Sequence, residues 1–263
     1  MPVTTTVQIG AARVRLEDDG KGFPLLLLHG FPATRRLWAR VSPLLVEAGF
    51  RVLVPDLIGY GESEAPAGAR IDMASQARWM LELLGQLALT RVAIVAHDVG
   101  SAAAQLMVIS EPRRIRGLAV LDGVYAGEWA MGAIAGIQTW DPAEANRLFP
   151  VLARRLAKSA AMREMLATYQ GAQGGLQLIR AARDLDPEQT ANIGAQLRSS
   201  GVPAAVLWGE RDEFLSIEEV GRPLAQLLGA SLVPLPGGHF TPLDCPSEVG
   251  KALLDFLTPL SER

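Results

Sequence analysis

The sequence predicts an α/β fold, a mainly parallel sheet with helices on both faces and an inserted helical cap. Two observations predict it. Short apolar segments rich in β-branched residues alternate with segments of helical character through residues 1–122, as in a parallel sheet joined by crossover helices. Between residues 123 and 201 only helix-forming sequence is found. We expect this insertion to lie over the carboxyl ends of the strands, where ligands bind in open α/β sheets.

The strands are predicted from two kinds of pattern. In residues 3–18, Val and Thr alternate with polar residues around a turn at Ile9, Gly10 and Ala11, which indicates a strand pair. The later strands are continuously apolar, as expected for strands covered on both faces. They are predicted over residues 24–29, 51–55, 91–95, 117–121, 202–208 and 231–235.

Helices are predicted where helix-forming residues recur at helical spacing. Outside the insertion they cover residues 35–48, 73–88, 101–108 and 247–256. Within the insertion they cover residues 143–156, 160–169 and 188–197. We therefore predict a core domain of residues 1–122 and 202–263 and a helical cap, or lid, of residues 123–201.

Composition excludes several classes of function. The 263 residues are enough to bury a large core, and the 25 basic and 28 acidic residues are interspersed, so we expect no nucleic acid as a partner. The single cysteine, Cys245, excludes an internal disulfide and leaves too few thiols for a zinc cluster. The first residues lack the pattern of a signal peptide, and no segment is apolar enough to span a membrane. The expectation is a soluble cytoplasmic protein without a membrane partner.

The segment Ala96-His97-Asp98-Val99-Gly100 connects a predicted strand to a predicted helix. A sharp turn of the form small-x-nucleophile-x-Gly is a nucleophile elbow, in which small neighbours let one side chain stand exposed on a strained turn. Here that side chain is a carboxylate. Because an ionised Asp needs no base before it attacks, Asp98 is predicted to be a nucleophile that begins the reaction unaided.

Each of the three histidines lies in a separate motif. His239 follows the last predicted strand and is the candidate base. Asp212, just past the preceding strand, is its proposed partner, since the order Asp98, Asp212, His239 is that of nucleophile, acid and histidine. Asp122 also ends a strand and is the alternative acid.

These motifs resemble those of the α/β-hydrolase superfamily, specifically its aspartate-nucleophile branch of epoxide hydrolases, haloalkane dehalogenases and haloacetate dehalogenases. The resemblance covers nearly the whole chain and is carried by the following matches: His29-Gly-Phe-Pro32, Gly59-Tyr-Gly-Glu-Ser63, His97-Asp-Val-Gly100, Asp212 and His239. It implies a cofactor-independent reaction in which Asp98 forms an alkyl ester and His239, oriented by Asp212, activates water to hydrolyse it. The backbone N–H groups of Phe31 and Val99 are then expected to hold the oxyanion.

The resemblance also narrows the leaving group. Haloalkane dehalogenases typically place a Trp after the nucleophile and often an Asn after His-Gly, where this chain has Val99 and Phe31. Haloacetate dehalogenases carry arginines beside and shortly after the nucleophile, and residues 99–104 contain none. Epoxide hydrolysis to a diol is therefore the favoured reaction. Haloalkane or haloacid dehalogenase-type hydrolysis is the alternative, and a general-base lyase or cyclase and a noncatalytic ligand-binding protein stay open.

Epoxide hydrolases use cap tyrosines to donate hydrogen bonds to the epoxide oxygen. The candidates here are Tyr125 and Tyr169, while Ile179 stands where the family commonly has a Tyr. Trp129 is the third candidate substrate-binding residue, as part of a pocket wall. The apolar cap suggests a small hydrophobic organic substrate, and the sequence is compatible with a homodimer.

Overall fold

The computed structural model of the protein describes residues 3–262, Ala133 by its backbone alone, and centres on a sheet of eight strands. The strands are β1 Val3–Ile9, β2 Ala12–Asp19, β3 Pro24–Leu28, β4 Arg51–Pro55, β5 Val92–His97, β6 Ile115–Leu121, β7 Ala204–Gly209 and β8 Ser231–Leu235. Their spatial order is β1-β2-β4-β3-β5-β6-β7-β8. The pairs β1–β2 and β2–β4 are antiparallel and the others parallel, so strands β3 to β8 end at one edge. The predicted α/β fold is confirmed.

Twelve helices are described within residues 3–262, and half of them lie between β6 and β7. Those outside this interval are α1 Ser42–Glu47, α2 Met73–Gln86, α3 Gly100–Ser110, α10 Arg222–Leu228, α11 Thr241–Asp244 and α12 Pro246–Ser261. Those inside it are α4 Met131–Thr139, α5 Pro142–Leu156, α6 Ala160–Leu166, α7 Gly171–Arg183, α8 Glu188–Ala191 and α9 Gly194–Ser199. None of the helices described in residues 3–262 combines the length and apolar character needed to cross a bilayer.

The apolar runs of the sequence form the central strands of the sheet, where their side chains are buried. Every residue of β5 is buried, as is every residue of β3 after Pro24. The first turns of α3 are buried as well and consist largely of Ala102, Ala103 and Ala104. Because these side chains are small, the helix packs close to the sheet directly after β5. The connection between β5 and α3 is therefore held rigidly from both sides.

Some predicted helices differ from those in the structure. The segment 35–48 is not one helix but a 3₁₀ turn, Arg35–Trp38, followed by α1. The predicted helix over residues 188–197 is divided into the short helices α8 and α9. Four helices that the sequence pattern did not predict, α4, α7, α10 and α11, are present. Tertiary packing thus overrides local propensity in these connecting segments.

The segment between β6 and β7 supplies one wall above the sheet edge. Within the described residues it contributes helices but no strand to the sheet. Helix α5 begins with a capping box, in which the side chain of Asp141 accepts from the N–H of Glu144 and the Glu144 side chain accepts from the N–H of Asp141. Helices α4 and α5 both pack on α7. The division into a core domain and a cap of residues 123–201 stays a prediction.

Candidate active site

Asp98 lies on the sharp turn between β5 and α3. Its φ is +50°, in the left-handed region that non-glycine residues rarely adopt. Two glycines make the turn sterically possible: a Cβ at Gly100 would lie 2.3 Å from the carbonyl oxygen of His29, and one at Gly30 would lie 2.4 Å from Oδ2 of Asp98. This geometry is that of a strained nucleophile elbow.

Backbone N–H groups hold the Asp98 carboxylate. The N–H of Phe31 donates to Oδ2 at 2.8 Å, and the N–H of Val99 lies near enough to the carboxylate to lower its pKa. Burial raises the pKa of the Asp98 carboxyl above its ordinary value, while the charge of His239 and the two N–H groups oppose this rise. The two residues predicted to form an oxyanion pocket thus both contact the predicted nucleophile.

His239 lies between Asp212 and Asp98. Its Nδ1 is 2.9 Å from Oδ2 of Asp212, and its Nε2 is 3.9 Å from Oδ1 of Asp98. Oδ1 of Asp212 accepts from the N–H groups of Phe214 and Leu215, which fixes the carboxylate in its loop. Burial lowers the pKa of His239, but the hydrogen bond to Asp212 and the charges of Asp212 and Asp98 outweigh this effect and raise the pKa to about 9.

The partner of His239 in the structure is Asp212, which the sequence favoured, rather than Asp122. Burial works to raise the pKa of Asp212, yet the contact with His239 and the two N–H donors hold it below the usual value. Asp122 is completely buried, and its carboxyl is bonded to the N–H of Gly209 and the hydroxyl of Thr241 instead of to the imidazole. The geometry therefore matches the assignment of Asp212, and not Asp122, as the partner of His239.

The other two histidines support the site through the backbone. His97 is buried beside His239, with ring centroids 4.9 Å apart, and its Nε2 lies 2.7 Å from the carbonyl oxygen of His239. Burial lowers the pKa of His97 to about 3, so the ring is neutral and Nε2 donates to that carbonyl. The Nε2 of His29 accepts from the N–H of Leu57 at 3.0 Å, joining the loop after β3 to the loop after β4. The sequence motifs indicated these positions but not these contacts.

A narrow cavity of about 60 Å³ opens at Asp98 and His239. Apart from those two side chains, its wall is apolar. The remaining lining residues are Phe31, Pro32, Ala130, Ile134, Ile137, Leu152, Leu156, Phe214 and Phe240. The cavity is small and suits a compact ligand. In residues 3–262, no group of three His, Cys, Asp or Glu side chains is arranged to hold a metal ion.

The three predicted substrate-binding residues do not line this cavity. The hydroxyl of Tyr169 donates to the carbonyl of Ala33 at 2.7 Å, and the ring is fully buried. The indole N–H of Trp129 donates to the hydroxyl of Thr190 at 3.0 Å. Tyr125 is partly buried and pairs through its backbone with Glu128. None of the three predicted side chains therefore forms part of this wall, and Tyr169 and Trp129 use their polar atoms in hydrogen bonds within the protein.

Most of the apolar wall comes from residues that the sequence pattern did not single out. Phe214 follows Asp212 by two positions and packs edge-on against the His239 ring at 5.2 Å. Phe240 directly follows His239. The cap side of the wall is built by α4 and α5. Proximity to the acid and histidine motifs was the one available signal for the two phenylalanines, whereas the facing side chains of α4 and α5 depend on how those helices pack.

Comparison with known proteins agrees with this architecture. A family model described as the α/β hydrolase fold matches residues 24–166, which contain the elbow and both strands that flank β5. The chain belongs to the α/β hydrolase family. The resemblance predicted from the motifs is confirmed, and the protein is an α/β hydrolase enzyme.

Three relatives indicate the range of chemistry in this part of the family. Haloalkane dehalogenase 2 of Mycobacterium tuberculosis is 27% identical over 92% of this chain and 91% of its own. A fluoroacetate dehalogenase from Burkholderia is 38% identical, but the match covers 44% of this chain and 39% of that protein. The structure of a candidate epoxide hydrolase from Pseudomonas aeruginosa is 26% identical, covers 99% of this chain and 97% of its own, and has a TM-score of 0.79.

Proposed function

We propose that this α/β hydrolase cleaves a carbon–halogen bond at a saturated carbon of a small, uncharged alkyl halide, through an ester on Asp98. One observation carries the proposal: the buried carboxylate of Asp98, with Oδ2 held at 2.8 Å by the N–H of Phe31, borders an apolar cavity beside His239. Apart from His239, whose charge faces Asp212 and Asp98, the wall offers contacts for hydrocarbon and no Lys or Arg for a substrate carboxylate. A neutral alkyl substrate fits such a wall better than a haloacid does.

In the first step, Oδ1 of Asp98 attacks the carbon that bears the halogen. A carbon–oxygen bond forms, the carbon–halogen bond breaks, and its electron pair leaves with the halide. The N–H groups of Phe31 and Val99 orient the carboxylate, and no proton is transferred. The product of this step is an alkyl ester of Asp98.

In the second step, Nε2 of His239 takes a proton from water, and the resulting hydroxide adds to the ester carbonyl. The negative charge develops on the oxygen that faces the N–H groups of Phe31 and Val99, which stabilise it. Collapse of the tetrahedral intermediate breaks the bond to the alkoxide, which takes the proton from His239 and leaves as the alcohol. The carboxyl group that forms loses its proton to water, and the Asp98 carboxylate is restored. Since the charge of Asp98 helps to raise the pKa of His239 to about 9, forming the neutral ester lowers that pKa and makes His239 available as a base.

The cavity wall favours a halide over an epoxide oxygen as the leaving group. An epoxide oxygen leaves as an alkoxide and requires a proton. A halide is the conjugate base of a strong acid and requires none, so it can leave even though this chain has Val99 and Phe31 where haloalkane dehalogenases typically have Trp and Asn donors. Among the side chains that line the cavity, His239 alone carries a hydrogen-bond donor. It lies beside the attacking carboxylate, on the side opposite to the leaving group in an in-line displacement. The hydroxyl of Tyr169 is bonded to Ala33 instead.

Epoxide hydrolysis is the second candidate. It was the reaction favoured by the sequence, and the similarity to the candidate epoxide hydrolase of Pseudomonas aeruginosa over 99% of the chain supports it. Both reactions would share the ester on Asp98 and the water activation by His239. They differ in the leaving group, so the products separate them.

The decisive experiment uses His239→Gln, which retains the nucleophile and lacks the base. With short alkyl bromides we expect release of one bromide per protein and a covalent adduct on the Asp98 peptide, detected by mass spectrometry. Asp98→Asn is the matched control and should show neither. In the wild-type enzyme, repeated turnover in oxygen-18 water should place label in Asp98. Turnover by the wild type without any adduct in His239→Gln contradicts the ester mechanism. Diol formation from short alkyl epoxides without halide release from alkyl halides would favour the second candidate.

A further inference from the structure

Asp122 occupies an unusual place at the carboxyl edge of the sheet. It directly follows β6 with a φ of +44° and is completely buried. Its Oδ1 accepts from the N–H of Gly209 at 2.6 Å, and its Oδ2 is bonded to the hydroxyl of Thr241. Gly209 ends β7 three residues before Asp212, and Thr241 follows His239 by two residues. One side chain therefore joins the segment that carries the acid to the segment that carries the histidine.

The backbone at the same point connects to the elbow. The N–H of Asp98 donates to the carbonyl of Leu121 at 3.1 Å, and the N–H of Asp122 donates to the carbonyl of Leu207 at 3.1 Å. Leu121 and Asp122 together thus contact the segments bearing all three of the predicted catalytic residues. We infer that Asp122 is a positioning residue, which holds the segments of Asp212 and His239 at the separation their hydrogen bond requires. The inference concerns the site of the proposed hydrolysis, and its consequence for turnover rests on that function.

Asp122 acts through these contacts rather than as a charged partner of His239. Among the described residues no cationic side chain forms an ion pair with Asp122 within hydrogen-bond range, and burial raises its pKa well above the ordinary value. The N–H of Gly209 donates to one oxygen and the hydroxyl of Thr241 to the other, and neither contact requires a charge on the carboxyl. An asparagine of the same shape can make both contacts, and an alanine can make neither.

The test measures His239 itself and needs no substrate. The chain has three histidines, and the imidazole signals that disappear in His239→Gln identify His239 by NMR. The charged and titratable groups around this ring are Asp212, Asp98, Asp122 and His97. In Asp122→Ala, we expect His239 to bind its proton at least about tenfold more weakly than in the wild type, because the contact with Asp212 loosens; tenfold corresponds to one pKa unit. In Asp122→Asn, proton binding should stay within about twofold of the wild-type value, well below that one-unit change.

Two other outcomes would overturn the inference. Equal weakening in Asp122→Asn and Asp122→Ala would make Asp122 an ionised partner of His239. No change in either folded variant would make its role purely structural. Thr241→Val removes one of the two contacts and should weaken proton binding less than Asp122→Ala does; it also provides a test if Asp122→Ala does not fold.

Turnover provides a second readout. In Asp122→Ala we expect kcat for halide release to fall with KM nearly unchanged, and Asp122→Asn should restore kcat. A drop in KM and kcat together, without rescue by asparagine, would contradict a positioning role. If no alkyl halide or epoxide is turned over at all, the proposed function fails while the NMR measurement still decides the role of Asp122.

Discussion

The backbone N–H of Phe31 donates to Oδ2 of Asp98 at 2.8 Å. The proposed nucleophile therefore rests in the same N–H pocket that would later stabilise the oxyanion of its ester. One carboxylate oxygen is fixed, and Oδ1 is left on the side of His239, 3.9 Å from Nε2. Because the N–H groups are in place before the reaction begins, they need no reorganisation when charge develops.

A substitution at Gly30 tests how precisely Oδ2 of Asp98 must be positioned. A Cβ there would lie 2.4 Å from Oδ2 of Asp98 and 2.5 Å from its Cβ, so Gly30→Ala must displace the carboxylate. We expect ester formation, measured by mass spectrometry in a His239→Gln background, to slow by about 100-fold, the usual effect of a misplacement near 1 Å. Gly136→Ala on α4, where a Cβ meets nothing within 4 Å, is the control and should react at the parent rate. An unchanged rate in Gly30→Ala would show that the position of Oδ2 does not limit attack.

The positions of the predicted catalytic residues followed from the sequence because they depend on topology alone. Asp98 and Asp122 each directly follow a parallel strand, and Asp212 and His239 lie shortly after β7 and β8. Parallel neighbouring strands end at one edge, so residues that follow them meet there whatever the helices do. The choice between Asp122 and Asp212 was the part that topology left open, and the 2.9 Å contact with His239 distinguishes them.

The cavity wall did not follow from the sequence because it depends on long-range packing. Helix α7 does not line the cavity, but the wall helices α4 and α5 pack on it. It contains Gly174 and Gly175, which lower helix propensity. A Cβ at Gly174 would lie 2.5 Å from the carbonyl oxygen of Thr168, and one at Gly175 would lie 3.2 Å from Cβ of Ala145. The glycines therefore allow α7 to approach its neighbours closely. Nothing in the local pattern distinguishes this use of glycine from a helix break.

The raised pKa of His239 predicts a pH dependence of stability. A histidine whose pKa rises from 6.5 to about 9 on folding binds its proton more tightly in the folded chain. The stabilisation of the folded chain by this proton is complete below pH 6.5 and is lost as the pH rises through about 9. The shift corresponds to at most on the order of 3 kcal/mol in the free energy of unfolding. We expect urea denaturation to show that the free energy of unfolding of the wild type falls over this pH range, whereas that of His239→Gln does not. Subtracting the free energy of unfolding of His239→Gln from that of the wild type cancels the contributions of the other titrating groups. Parallel dependences of the two free energies on pH would contradict the prediction.

The size of the cavity predicts a limit on substrate length. Leu152 on α5 lines the cavity and is partly buried, so Leu152→Ala replaces an isobutyl group by a methyl and enlarges the space. We expect the ratio of kcat/KM for hexyl bromide to that for propyl bromide to rise by about tenfold or more, since one methylene in an apolar pocket is worth about 1–3 kcal/mol. Val151→Ala is the matched control, because the neighbouring side chain is 47% exposed and lies outside the cavity wall. A ratio that changes equally in both variants would place the limit elsewhere.

Tyr169 provides a test between a structural role and a role in leaving-group activation. Its hydroxyl donates to the carbonyl of Ala33, two residues after Phe31, and thereby joins the end of the 3₁₀ turn Ala167–Tyr169 to the loop that holds Asp98. The ring packs edge-on against Phe149 at 5.9 Å, and a phenylalanine preserves this contact.

Tyr169→Phe leaves the buried carbonyl of Ala33 without its donor, which costs about 1–3 kcal/mol in the free energy of unfolding. Because the hydroxyl does not face the cavity, kcat should stay within about threefold for alkyl bromides and chlorides alike, less than the tenfold that 1.36 kcal/mol of lost transition-state stabilisation would produce. Urea denaturation and halide release measure the two quantities, and Tyr125→Phe, at a partly buried position outside the cavity wall, should change neither. If Tyr169 assisted the leaving group, stability would be unchanged and kcat would fall further for chloride, the poorer leaving group, than for bromide.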